Sequence, residues 1–106
     1  TPKREFLYVD DLADGLLCLM EHYSGESQVN VGCGEDLSIL SLAQLIAEVI
    51  GYKGEICTDP SKPDGTPRKL LDVSKINELG WRAQTSLRTG ISATYESFLS
   101  QPYAER

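Results

Sequence analysis

Between Asp59 and Pro67 the chain reads Asp-Pro-Ser-Lys-Pro-Asp-Gly-Thr-Pro, and this stretch limits the possible folds more than any other. Each proline lacks an amide hydrogen, fixes its own φ at about −65° and disfavours helix in the residue before it. Three prolines and a glycine can neither continue a strand nor occupy a helix interior, so the segment must be a loop. Every regular element has to lie on one side of it or the other.

Upstream, Arg4-Glu5-Phe6-Leu7-Tyr8-Val9 is rich in strand-forming residues and predicts a strand. Asp10-Asp11 follows, where a carboxylate can accept from the free amide hydrogens of a helix start. Leu12, Leu16, Leu19 and Tyr23, with Ala13 and Met20 beside them, recur at helical spacing and predict a helix with a core-facing stripe. Gly25 marks a turn, and Gln28 to Gly32 predicts a short strand. Ser38 is a plausible cap for a second helix carrying Leu42, Leu45, Ile46, Val49 and Ile50, and Gly51 stands where a left-handed residue would end it. Lys53 to Thr58 predicts another strand. Beyond the loop, Arg68 to Asp72 is briefly extended, Val73 to Leu79 is a short helix stopped by Gly80, and Thr85 or Ser86 caps a last helix bearing Leu87, Ile91, Tyr95 and Phe98. These elements imply one α/β domain over residues 1–101, with short strands and about four helices, and a frayed tail at 102–106.

With 106 residues, 41% of them apolar, the chain suits a single domain. No apolar run reaches the ~18–20 residues of a membrane-crossing helix, and no secretory leader is visible after Thr1. Residue 1 is Thr rather than Met, so the chain is expected to be a piece of something longer. Its net charge of −6 is uneven: residues 1–52 hold two basic and nine acidic groups, and residues 53–106 hold eight and seven. An acidic chain without a basic stripe repels phosphate polymers, which argues against nucleic acid as a partner. A pocket for one small phosphorylated ligand remains possible in the second half. Cys18, Cys33 and Cys57 form no Cys-x-x-Cys pair, and His22 is the sole histidine, so buried reduced thiols are expected rather than a metal site, in a cytoplasmic setting.

Several motifs invite a chemical reading. Gly32-Cys33-Gly34 lies between a predicted strand and a helix, but position 37 is Leu where a dinucleotide fingerprint needs a third glycine, so a plain turn is favoured. No phosphate loop of the NTPase kind and no Tyr-x-x-x-Lys pair is present. Asp10, Asp11 and Asp14 could be catalytic carboxylates, though a helix start attracts carboxylates for its dipole alone, and capping is favoured. His22 reads as a helix-end surface residue. The loop from Lys62 to Lys69 is a stronger candidate: prolines stiffen it, Gly65 permits close approach, and Lys62, Arg68 and Lys69 supply cations suited to a diphosphate. Composition alone leaves that reading level with a solvated surface loop. Arg4 could pair with Asp10 or Asp11, or grip a phosphate through both guanidinium nitrogens.

Four stretches together resemble the C-terminal part of the GDP-L-fucose synthases, which belong to the extended short-chain dehydrogenase/reductase superfamily. They are Arg4 to Ala13, Asn30 to Gly34, Lys62 to Asp72, and Leu79-Gly80-Trp81. The likeness runs from Thr1 to about Leu99. The first and last stretches recur across nucleotide-sugar epimerases and dehydratases, and Lys62 to Asp72 is the part particular to fucose synthases.

The resemblance implies that this chain is the smaller domain that closes over a GDP-sugar, with no Rossmann domain of its own. NADP(H) and the catalytic Ser, Tyr, Lys, Cys and His would then belong to an N-terminal Rossmann domain, so this chain would hold no catalytic residue and bind no cofactor or metal alone. By motif position Arg4 would contact the substrate diphosphate, Asp64 would bind substrate, and Lys69 would lie near the nucleotide phosphates. The implied reaction is 3,5-epimerisation of GDP-4-keto-6-deoxy-D-mannose followed by NADPH-dependent reduction at C4, in an enzyme that is a homodimer when intact. The isolated chain would be inactive and bind GDP weakly. The corresponding domain of another nucleotide-sugar epimerase or dehydratase, and a non-catalytic binding module, are the competing readings.

Overall fold

The computed structural model describes residues 2–62, 65 and 68–101. Asp64 and the tail at 102–106 lie outside the described residues. In chain order the elements are strand β1 (Lys3–Glu5), helix α1 (Val9–His22), β2 (Asp36–Ser38), α2 (Ile39–Ile50), β3 (Arg68–Lys69), α3 (Ser74–Glu78) and α4 (Leu87–Ser100). The first strand is central in a sheet of order β2-β1-β3. It runs antiparallel to β2, with Arg4 opposite Leu37, and parallel to β3, with Arg4 opposite Lys69. The described residues thus form a small α/β unit with four helices and short strands.

Helix boundaries follow local chemistry. The Ser38 hydroxyl accepts from the Ser41 amide at 3.0 Å, and Gly51 closes α2 at φ 77°. Ser86 rather than Thr85 caps α4, accepting from the Thr89 amide at 3.2 Å. At α3 the Asp72 carboxylate accepts from both the amide and the hydroxyl of Ser74, and this holds its pKa below the ordinary aspartate value. Helix α1 departs from expectation. Its N-cap is Tyr8, whose side chain makes no capping hydrogen bond, and Asp10 and Asp11 lie inside the first turn.

Two predicted strands are not strands. Residues 28–32 and 53–58 carry suitable side chains but pair with no neighbouring ladder, and strand propensity without a partner edge does not make a strand. The second edge of β1 is taken instead by Asp36-Leu37-Ser38, a sequence with little strand character. The strand predicted over residues 4–9 is also shorter, since the chain leaves the sheet after Glu5.

The core is small and lies where α1, α3 and the Trp81 segment meet. Ile76 is fully buried and Trp81 is 6% exposed. Gly15 of α1 is buried against Val31 and Trp81: a methyl there would stand 2.9 Å from Val31 Cγ1 and 3.1 Å from Trp81 Cζ2. The Trp81 indole N–H donates to Asp14 at 3.1 Å. Helices α2 and α4 pack together, and an exposed ion pair joins Glu48 to Arg88.

The apolar stripe of α1 does not face this core. Leu12 is 39% exposed and Met20 80%, with Val9, Leu16 and Leu17 also open to solvent. The periodicity correctly marks a helix, but most of its apolar stripe is open to solvent rather than core-facing. The expectation of buried thiols is likewise corrected: Cys57 is exposed, and Cys18 and Cys33 are half-buried. All three are free. No described helix is long and apolar enough to cross a membrane.

Candidate functional site

Register pairing in a parallel ladder puts directly opposed side chains on one face of the sheet, about 4.8 Å apart from strand to strand. The Arg4–Lys69 pairing therefore sets two cations side by side, although roughly 65 positions separate them in sequence. Both residues line a cleft of about 580 Å³, whose walls include Leu7, Val31, Gly32 and Leu71.

Arg4 is held in place by local contacts. Its Nη1 donates to the Lys3 carbonyl at 2.7 Å, and the backbone of Gly65 lies against Nη2 so closely that a Cβ at 65 would stand 2.8 Å away. Glycine at 65 is thus accounted for by the approach of the guanidinium. Lys62 does not join this cleft; it lines an adjoining one of about 690 Å³ with Pro2, Leu40, Asp59 and Gly65. Of the three predicted site residues, Arg4 and Lys69 come together and Asp64 falls outside the described residues.

Glu5 is a member of the cleft that the sequence does not flag. Its Oε2 accepts from the Gly34 amide at 2.7 Å and its Oε1 from the Leu71 amide at 2.9 Å. A Cβ at Gly32 would collide with that Oε2, and Gly34 adopts φ 78°. The Gly-x-Gly element is therefore a turn wrapped around a carboxylate, in keeping with the plain-turn reading. Its one signal in the sequence is the pair of glycines with no third to complete a fingerprint. Within the turn, burial pushes the Cys33 thiol up from its ordinary pKa, with the Glu5 carboxylate pushing the same way. The Cys33 Sγ lies within hydrogen-bond reach of the Phe6 and Glu35 carbonyls, at 3.4 and 3.3 Å, and donates its single hydrogen to one of them at a time.

The acidic residues of α1 tie segments together rather than cap the helix. Asp11, 7% exposed, accepts from the Thr85 amide at 2.9 Å and from the Thr85 hydroxyl at 3.1 Å. Asp14 holds the Trp81 indole. His22 is an exposed helix-end residue, 3.7 Å from Glu21. No group of three or more potential metal ligands occurs among the described residues.

Comparison with known proteins gives a consistent picture. Residues 1–32 match the NAD dependent epimerase/dehydratase family. The chain is 52% identical over 99 residues to GDP-L-fucose synthase 1 of Arabidopsis thaliana, a match covering 93% of this chain and 31% of that protein. It is 49% identical over 108 residues to the GDP-L-fucose synthase of Escherichia coli K12, covering 93% of this chain and 34% of that one. Among solved structures, MlghC, the GDP-mannoheptose C4 reductase from Campylobacter jejuni with NADP bound, superimposes with a TM-score of 0.79 at 34% identity. That alignment covers 93% of this chain and 32% of the reductase. The chain thus spans about a third of the length of the relatives it matches. Over nearly its whole length the chain is therefore similar to one segment of the longer GDP-L-fucose synthases, and its first 32 residues match the epimerase/dehydratase family.

Proposed function

We propose that residues 1–101 form the GDP-sugar-binding part of an enzyme that converts GDP-4-keto-6-deoxy-D-mannose to GDP-L-fucose by 3,5-epimerisation and NADPH-dependent reduction. The observation that carries this reading is the register pairing of Arg4 with Lys69 across two strands that share a cleft. Arg4 presents a planar, always-charged fork and Lys69 a point charge, and together they neutralise the diphosphate of a nucleotide sugar. Asp64, four positions before β3 in the sequence, is the third substrate-binding residue, accepting from ligand hydroxyl or amino groups.

The residues present here do not fit a dinucleotide. In the glycine-rich turn at residues 32–34 the Gly34 amide is already given to Glu5, whose carboxylate lies against Gly32. NADP(H) and the groups that exchange the C3 and C5 protons and deliver hydride to C4 accordingly belong to an N-terminal Rossmann domain of the same protein. The exposed α1 stripe, from Val9 to Met20, is the surface that such a domain covers. The intact enzyme is a cytoplasmic homodimer on this reading. The separate chain binds GDP weakly and does not turn over, because a pocket between two domains loses a wall when they part.

The test is a hybrid in which this chain replaces the matching segment of the E. coli GDP-L-fucose synthase. The hybrid should form GDP-L-fucose from GDP-4-keto-6-deoxy-D-mannose and NADPH. Arg4→Ala and Lys69→Ala should each raise the KM for the GDP-sugar roughly ten- to hundredfold, matching about 1.5–3 kcal/mol for a charge-assisted contact. Unchanged KM in both variants would return the two cations to the solvated surface and sink the reading.

A further inference from the structure

The geometry points to Glu5 as a positioning residue that sets the width of the Arg4–Lys69 cleft, so that its carboxylate strengthens the hold on a diphosphate despite carrying the ligand's own sign of charge. This inference rests on the proposed GDP-sugar site. The β1–β3 ladder has two register pairs, which leaves the placement of Lys69 dependent on how the chain is held just beyond it. Leu71, two residues on, donates its amide to Glu5 Oε1 at 2.9 Å. The opposite wall is held by the other oxygen, which takes the Gly34 amide at 2.7 Å, and the missing side chain of Gly32 lets that wall close on the carboxylate. One side chain of β1 therefore fastens both walls of the cleft, one oxygen to each.

Only a carboxylate can do this. Both partners are backbone N–H groups and need two acceptor oxygens. Glutamine, of the same shape, offers one oxygen and one NH₂, so it turns a donor toward a donor and releases one wall. Bare electrostatics predicts the reverse outcome for Glu5→Gln, since removing a negative charge beside an anion site should tighten anion binding. The sign of the effect separates the two accounts.

In the hybrid enzyme described above, GDP affinity is measured by calorimetry alongside KM and kcat for the GDP-sugar and the thermal midpoint. Glu5→Gln should weaken GDP binding and raise KM by about fivefold or more, with kcat within about twofold, as expected for lost ground-state binding. Gly32→Ala, which keeps the charge and forces the wall off the carboxylate, should do the same and serves where Glu5→Gln does not fold. In an Arg4→Ala background, Glu5→Gln should change GDP affinity by less than it does alone, because the two act through one grip. GDP binding that is equal or tighter in Glu5→Gln, or a lower thermal midpoint with unaltered GDP affinity, overturns the proposal. If Arg4→Ala and Lys69→Ala weaken binding but Glu5→Gln does not, the positioning role alone fails. If the Arg4 and Lys69 variants are also silent, the GDP-sugar site itself fails with it.

Discussion

Replacing Asp11 tests whether the carboxylates at the start of α1 act through charge or through geometry. The side chain is 7% exposed, and its two oxygens take the amide and the hydroxyl of Thr85 at 2.9 and 3.1 Å. Asp11→Ala removes both acceptors and leaves the Thr85 amide without its partner, a loss of about 2–3 kcal/mol. Asp11→Asn keeps an oxygen for the amide, while its NH₂ can donate to the Thr85 hydroxyl oxygen, whose hydrogen rotates away; the cost is below about 1 kcal/mol. For a domain of this size 1 kcal/mol moves the midpoint by roughly 4–8 °C, so the alanine variant should melt about 8–24 °C lower and the asparagine variant within about 8 °C of the parent. A helix-dipole role predicts equal losses of roughly 0.3–1 kcal/mol for both. A catalytic role predicts that Asp11→Asn abolishes turnover in the hybrid while barely touching stability. Thermal unfolding followed by circular dichroism, with turnover measured in parallel, decides among these. Equal melting of the two variants would refute the geometric account.

Gly15→Ala gains about 1 kcal/mol of helix propensity but drives a methyl to 2.9 Å from Val31 and 3.1 Å from Trp81, an overpacking cost of roughly 1–3 kcal/mol. Net destabilisation is expected in denaturant titration, and a more stable variant would show that the Trp81 contact yields easily. Leu16→Glu combined with Met20→Lys should leave the melting of the isolated chain within a few degrees while lowering its self-association in sedimentation; in the hybrid the same pair should impair assembly of an active enzyme. Activity equal to the parent hybrid would show that the α1 stripe is not the covered face. Burial raises the Cys33 pKa, so the folded state keeps a proton that the unfolded chain releases. The thiol's contribution is thus complete below the ordinary thiol range and lost as pH rises through the elevated folded value. Urea midpoints should fall between about pH 8 and 10, and fall less in Cys33→Ala. An identical fall in that variant would remove Cys33 as the cause.

The helices were legible because their ends are written in local chemistry. Ser38 and Ser86 each supply the expected capping oxygen, and Gly51 takes the left-handed conformation that ends α2. The strands were poorly legible because a strand is made by its neighbour. Residues 53–58 have the composition without an edge to join, whereas Asp36-Leu37-Ser38 is recruited by lying opposite residues 3–5. The face of α1 misled for a related reason, since periodicity reports that a helix is amphipathic and is silent about what it covers. At the site, Arg4 and Lys69 stand out as cations, the second beside a proline-rich stretch of sequence, but their proximity depends on strand order, which no local pattern encodes. Glu5 was hidden because its role lies wholly in long-range bonds to Gly34 and Leu71.

The place of β1 at the middle of its sheet has a kinetic consequence. Its antiparallel partner closes a loop of roughly 33 residues, and its parallel partner one nearly twice as long, with the proline-rich stretch inside it. Contacts of such long range delay barrier crossing, so the two cations should meet late in folding, after α1 and α2 have formed. During synthesis the first strand must also wait, unpaired on one side, until β3 leaves the ribosome. A ligand that bridges Arg4 and Lys69 would then act chiefly by slowing unfolding, and its effect on the refolding rate would be small.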